Sequence, residues 1–175
     1  MADGSGTDSV GELAWDGVRD ADFKAAMRKL AATVTLVTTC EEGVRFGMAA
    51  TAVCSLSAEP ASLLVCINQR ASLHGPTTRT RFFCVNLLRT TQAELFGGFT
   101  ARRGQDRFAV GSWRPGHRGL PYMEDAAAAI FCAVEQETHY GTHTIFVGRI
   151  ERLIMSHGAE PLVFQDGAMG RVERL

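Results

Sequence analysis

The chain lacks the apolar run of about 18 residues that a membrane-spanning helix needs. It also lacks an excess of charge of either sign. Eighteen Lys and Arg face nineteen Asp and Glu, so neither nucleic acid nor an anionic membrane surface is an expected partner. No Walker loop, no G-x-G-x-x-G turn and no G-x-S-x-G elbow occurs, which removes the common signatures of nucleotide hydrolysis, Rossmann-type dinucleotide binding and serine hydrolysis. The five cysteines, Cys40, Cys54, Cys66, Cys84 and Cys132, contain no C-x-x-C pair, and an odd number cannot all pair within one chain. Four of them sit in apolar, strand-like runs, which points to reduced thiols in a reducing compartment. The first segment, MADGSGTDSVGELAWDG, is acidic and rich in Gly and Ser, unlike a signal peptide. A loose tail over residues 1–19, a single domain over 20–175 and a cytoplasmic location are the expectations.

What is present is enough apolar material for one core, 46% of 175 residues. Residues 20–32 carry Phe23, Ala26, Met27 and Leu30 at helical spacing, with Asp20 or Asp22 as a cap. TVTLVTTC is β-branched and strand-like, EEGV is a turn in which Gly43 supplies positive φ, and GMAATAVCSLSAEP follows as the partner strand of a hairpin. Strands are expected at 61–69, 81–88, 126–140 and 142–155, with a closing hairpin at 161–172. Between them, 70–80 reads as a short helix or loop broken near Gly75-Pro76, and 90–99 as a helix ending at Gly97-Gly98. Residues 100–120 are polar and without periodicity, a loop long enough to be functional. Short turns favour antiparallel pairing, so the fold class is mainly β with short helices, a Greek-key β-barrel.

Four stretches carry residues suited to a ligand. The segment 47–60 is almost bare of large side chains, with Thr51, Ser55 and Ser57 offering hydroxyls and backbone N–H groups. In CINQRAS, Asn68, Arg70 and Ser72 stand where a strand ends, and an Arg and a Ser before a helix suit a phosphate. FFCVN ends in Asn86. YGTHT places His143 after a glycine bend. Each has a plain structural counterpart. Small residues mark close packing of layers, Arg70 and Ser72 serve as a solvated side chain and a cap, Asn86 ends a strand, and His143 is a hydrogen-bonded histidine. His139 and His143 are four apart but have no third ligand at metal spacing, so no metal site is expected. Arg102, Arg103 and Arg107 belong either to a solvated loop or to a 2′-phosphate contact.

In order and spacing, Phe23–Leu30 with TVTLVTT, GMAATAVCSLSAEP, SLLVCINQRAS, FFCVNLL, Gln92 with Phe99, DRF at 106–108, LPYMEDAAAAIFCAV, GTHTIFVGRI and PLVFQDGAMG resemble the flavin reductase-like family. These are the short-chain NAD(P)H:flavin oxidoreductases of two-component monooxygenases. The resemblance implies an FMN-binding split barrel. It implies FMN as cofactor, with FAD also possible, NADH or NADPH as co-substrate, a homodimer, and a flavin-dependent monooxygenase served by diffusing reduced flavin. The flavin would lie along Met48, Thr51, Ala52, Val53, Ser55 and Ser57. Cys66, Asn68, Arg70 and Ser72 would face its ribityl chain and phosphate. Cys84, Val85 and Asn86 would form more of its wall, Phe99 and Arg107 would belong to a covering loop, and His143 would stand at the nicotinamide. Reduction of another acceptor, such as a cobalt corrinoid or ferric iron, and flavin binding without turnover are the alternatives. Two departures stand out. The family often has Gly-Asp-His where Gly141-Thr142-His143 stands here, and an aromatic where Met169 stands.

Overall fold

The computed structural model describes residues 18–173; nearly all of the expected tail lies outside them. The chain runs α1 (Asp20–Met27), β1 (Ala32–Thr33), β2 (Thr35–Glu41), β3 (Val44–Ala50), β4 (Val53–Ala58), β5 (Ala61–Asn68), α2 (His74–Thr80) and β6 (Phe82–Leu87). It continues through α3 (Ala93–Ala101), β7 (Trp113–Pro115), β8 (Pro121–Met123), β9 (Ala128–Tyr140), β10 (His143–Met155), β11 (Val163–Gln165) and β12 (Ala168–Gly170). A seven-stranded sheet has the order β3-β2-β6-β9-β10-β5-β4, and every neighbouring pair in it is antiparallel. Three of its pairs are sequential hairpins, and longer connections interleave them. β1, β11 and β12 form a small second sheet and β7–β8 a ribbon.

One connection dictates the shape. β3 and β4 are the two edges of the seven-stranded sheet, yet only Thr51 and Ala52 separate them in sequence. So short a link spans at most about 10 Å. The sheet therefore rolls until its edges nearly meet, leaving a slit at Thr51–Ala52: a split barrel, mainly β and antiparallel, as expected. The expectation of one long strand over 47–60 is corrected. The stretch makes two strands on opposite edges, and the hairpin partner of β2 is β3 alone. Its turn is Glu42–Gly43, both at positive φ (50° and 81°), which matches the twist of the flanking strands.

The barrel is filled by Val37, Leu63, Val65, Ile67, Phe83, Val85, Val134 and Phe146, with Leu73 of the β5–α2 loop closing one end. A second apolar layer lies outside the sheet, where Phe99 of α3 joins Val34, Leu36, Leu88, Met123 and Leu162. Two helix boundaries differ from expectation. α2 runs through Gly75-Pro76, because Pro76 falls in the first turn, where its missing N–H is an orphan anyway. α3 runs through Gly97-Gly98, since buried Phe99 must reach the second layer. Residues 100–120 are ordered as well, with short 3₁₀ segments at Gly104–Ala109 and His117–Gly119 flanking β7. That order comes from aromatic packing without sequence periodicity: the Phe99, Phe108 and Trp113 rings lie 5.0–6.1 Å apart.

Candidate active site

The slit between the two sheet edges sets out the site. Thr51 and Ala52 are exposed and help line a cavity of about 460 Å³, whose other walls are mainly Phe23, Met27 and Leu30 of the N-terminal segment and Phe164 of β11. Beyond it, β4 turns almost wholly outward: Cys54, Ser55, Leu56 and Ser57 are all exposed. Met48 and Val53 pack against the barrel core, so their side chains point away from a ligand in the slit. The free edge of β3 is partly covered. The Arg45 carbonyl accepts from the Gln105 side chain, and the Gly47 carbonyl accepts from the Arg107 guanidinium. Ala49 shares their parity on the strand, so its N–H and carbonyl leave from the same edge.

Gly47 is bare for an internal reason. A Cβ there would stand 2.9 Å from the Phe99 ring and 3.2 Å from Phe108. Phe99 is fully buried, so it supports the site from behind and does not cover it. Arg107 lies over the Phe99 ring at 5.4 Å and also donates to the Arg102 carbonyl at 2.9 Å. It shares a second cavity, of about 500 Å³, with Ser72.

The β5 end and the β9–β10 hairpin meet beside these residues. His143 pairs in register with Asn68, and Gln69 clamps the tip: its N–H donates to Thr142 O (3.0 Å) and its side-chain amide to His143 O (3.3 Å). Asn68 accepts the Arg70 N–H at 2.9 Å, so its carboxamide is committed to shaping the loop that exposes Arg70 and Ser72. His143 is exposed, and its Nδ1 lies 2.9 Å from the Thr142 hydroxyl. Thr142, standing where the family often has an acid, thus still orients the imidazole, through a neutral hydrogen bond. Ser57 is tied locally, its hydroxyl donating to Glu59 O and accepting from Glu59 N–H, each at 3.0 Å. Cys66 is half-buried, and its N–H donates to Ala52 O at 3.0 Å, fastening the slit to β5. Desolvation pushes its thiol pKa up.

Three expected wall residues are placed elsewhere. Cys84, Val85 and Asn86 lie in central β6 at 0% exposure. Their side chains cannot touch a ligand in the slit. Asn86 donates to Leu36 O at 2.9 Å and accepts from Met123 N–H at 2.8 Å, bracing β6 against β2 and β8. Burial holds the Cys84 thiol well above its ordinary pKa.

Sequence spacing alone did not expose a second polar assembly. Thr144 is fully buried, and its hydroxyl lies 2.8 Å from His74 Nε2 and 2.8 Å from His139 Nδ1. A hydroxyl has one proton, so with both rings neutral it donates to one and accepts from the other. Burial first, and then the neighbouring His139, lower the His74 pKa. Among the described residues no group of three or more His, Cys, Asp or Glu is arranged to hold a metal ion.

Comparison with known proteins agrees with this geometry. The model of the "Flavin reductase like domain" matches residues 27–173. An FMN reductase (NADH) RutF from Pseudomonas syringae is 41% identical over 145 residues, covering 81% of this chain and 80% of its own. The reductase component of an FADH(2)-dependent resorcinol hydroxylase from a Rhizobium species is 38% identical over 160 residues, covering 90% and 89%. Among solved structures, the Streptomyces globisporus NADH:FAD oxidoreductase SgcE6, in complex with NAD and FAD fragments, superposes with a TM-score of 0.81 at 26% identity, over 87% of this chain and 92% of that one. With a rolled sheet split at a bare two-residue link and a family match spanning nearly all of the described residues, the chain belongs to the flavin reductase-like family.

Proposed function

We propose that the protein is an NADH-dependent flavin reductase that hands reduced flavin to a separate flavin-dependent monooxygenase, working as a cytoplasmic homodimer. The observation that carries the reading is the slit: an exposed strip of small residues beside a cavity, next to the β5 end where Arg70 and Ser72 are exposed and His143 pairs in register with Asn68.

The residues present fit a flavin. Thr51 and Ala52 leave room for a planar ring system, and the outward backbone groups of Ala49 offer hydrogen bonds to its polar edge. Ser72, Arg70 and Arg107 supply donors for a phosphate. The helix dipole adds little, because α2 is only seven residues long. A flavin held here would supply the hydride-accepting chemistry and a reduced nicotinamide the hydride; that chemistry belongs to the cofactors. The protein's part is orientation and exclusion of water. Backbone N–H groups at the slit favour negative charge on the ring's pyrimidine side. His143, steered by Thr142 and held by the Gln69 clamp, closes the nicotinamide side as an orienting group.

The homodimer reading rests on the N-terminal segment. Phe23, Met27 and Leu30 are 54%, 44% and 62% exposed. They border the same cavity as Thr51 and Ala52. A second copy seated on this face would bury them and finish the wall around the flavin. No helix among the described residues is long and apolar enough to cross a membrane.

The decisive experiment is steady-state NADH oxidation with FMN, FAD and riboflavin side by side, followed by transfer across a dialysis membrane to an oxygenase. NADH consumption and successful transfer are expected. Flavin binding without NADH consumption would overturn the reductase reading, and consumption without transfer would overturn the diffusible product.

A further inference from the structure

The buried Thr144 hydroxyl stands 2.8 Å from His74 Nε2 and 2.8 Å from His139 Nδ1. His139 Nδ1 also lies 3.5 Å from the Gln69 side-chain amide, and the same amide is 3.3 Å from the His143 carbonyl. A carbonyl only accepts, so Gln69 turns its NH₂ group toward His143 O. That nitrogen offers no lone pair, which leaves His139 Nδ1 the role of acceptor. The Thr144 hydroxyl then gives its one proton to His139 and accepts from His74 Nε2–H. One carbonyl thus sets the direction of the whole chain: His74 to Thr144 to His139, with Gln69 joining His139 to the backbone of His143. Thr144 stands opposite His139 on one side and Ile67 of the barrel core on the other. Successive strand residues face opposite ways, so this chain lies on the barrel side while the His143 imidazole leaves on the other face, exposed.

We propose that His74, Thr144, His139 and Gln69 are positioning residues for NADH oxidation: they fix the backbone of His143 from the barrel side and act through it. This inference rests on the reading of His143 as the group at the nicotinamide side. The arrangement has a proton requirement. His139 Nδ1 must be bare, because a proton there sets a donor against two donors, the Gln69 amide and the Thr144 hydroxyl. Gln69 then turns away and releases His143 O. His139 is exposed, so solvent protons reach it. A charged His74 still donates from Nε2, so the chain is sensitive at His139 alone. Burial, and then His139, lower the His74 pKa, with Glu137 acting in the opposite sense. The other charged or titratable groups on the elements that meet here are His143 and Tyr140 of the hairpin, Arg70 beside Gln69, and Glu137 itself, which pairs with Arg81 at 2.8 Å.

The first test reads the ring nitrogens of the full-length protein by NMR with labelled histidines. At neutral pH both His74 and His139 are expected as Nε2–H tautomers with bare Nδ1; an Nδ1–H tautomer at His139 would overturn the chain whatever the activity. The second is kinetic. Thr144→Val is expected to raise the KM for NADH about fivefold, with kcat and FMN affinity within about twofold, and Thr144→Ser to restore it. Gln69→Leu, at an exposed position that does not threaten the fold, is expected to raise KM likewise. An unchanged KM in Gln69→Leu would overturn the positioning role. In a His143→Ala background Thr144→Val is expected to add nothing, and additive effects would show that it does not act through His143. His139→Asn supplies an acceptor that does not titrate, and is expected to lessen the loss of kcat/KM for NADH on acidification; an undiminished loss would overturn the proton requirement. If His143→Ala alone leaves KM unchanged, the nicotinamide reading fails and the positioning role with it, while the tautomers still decide the chain.

Discussion

The small-residue stretch divides into two halves that are alike in composition and opposite in circumstance. In β3, Gly47 and Ala49 face the outer apolar layer while Phe46, Met48 and Ala50 face the barrel core. Both faces of this half are filled by the chain's own side chains, and smallness there answers to packing. From Thr51 to Ser57 only Val53 packs inward, and the rest is exposed. Smallness there leaves room for something else. One composition therefore carries two meanings, and only the fold tells them apart.

The largest effect that separates the halves is expected behind β3. Phe99→Ala removes the ring that fills the space over Gly47 and should cost about 3–5 kcal/mol of stability, read by denaturant unfolding. Gly47→Val drives a side chain into Phe99 and Phe108, and an overpacking loss of about 1–3 kcal/mol is expected. An unchanged unfolding midpoint would show that this half is not packed as described. In the other half, Ala52→Leu should leave stability within about 0.5 kcal/mol and weaken FMN binding tenfold or more, by fluorescence quenching. A stability loss with intact flavin binding would erase the distinction. His143→Ala should raise the KM for NADH several-fold with flavin affinity unchanged; equal rates at limiting NADH would remove His143 from the site.

Acid should produce the smallest effect, and one that spares both halves. Hydrogen bonds from Arg118 and then His117 hold the Glu151 carboxyl down at about 2. A carboxylate whose folded pKa lies below its unfolded value stabilises the protein above the unfolded pKa. That contribution is lost as pH falls from about 4.5 toward 2. Glu151→Gln should flatten the stability profile in that window while flavin affinity at neutral pH is unchanged.

The sequence made most of the framework legible. β2, β5, β6, β9 and β10 appear where their β-branched and alternating runs predict, because each buries at least one face in the barrel. The break at Thr51–Ala52 was hidden, since nothing local says that a strand must leave one sheet edge and resume at the other. The resemblance puts Cys84, Val85 and Asn86 on the flavin wall, and nothing local in FFCVN says that β6 is a central strand in which these three side chains are buried. Gln69 and Thr144 act through partners about 70 residues away, and cross-strand register is not written in spacing. The arginines of the 100–109 segment were visible as a cluster. What made them a cavity was Arg45 and Ser72, brought in from two other elements.

The two-residue link at the slit has a consequence for how this scaffold can diverge. Its length works as a spacer gauge: adding a residue would let the sheet margins drift apart and change the aperture itself. Tailoring to new guests is then left to the fringes, namely the arginine-bearing segment, the terminal hairpin and whatever seats on the N-terminal helix. The aperture stays constant while its borders are free to vary.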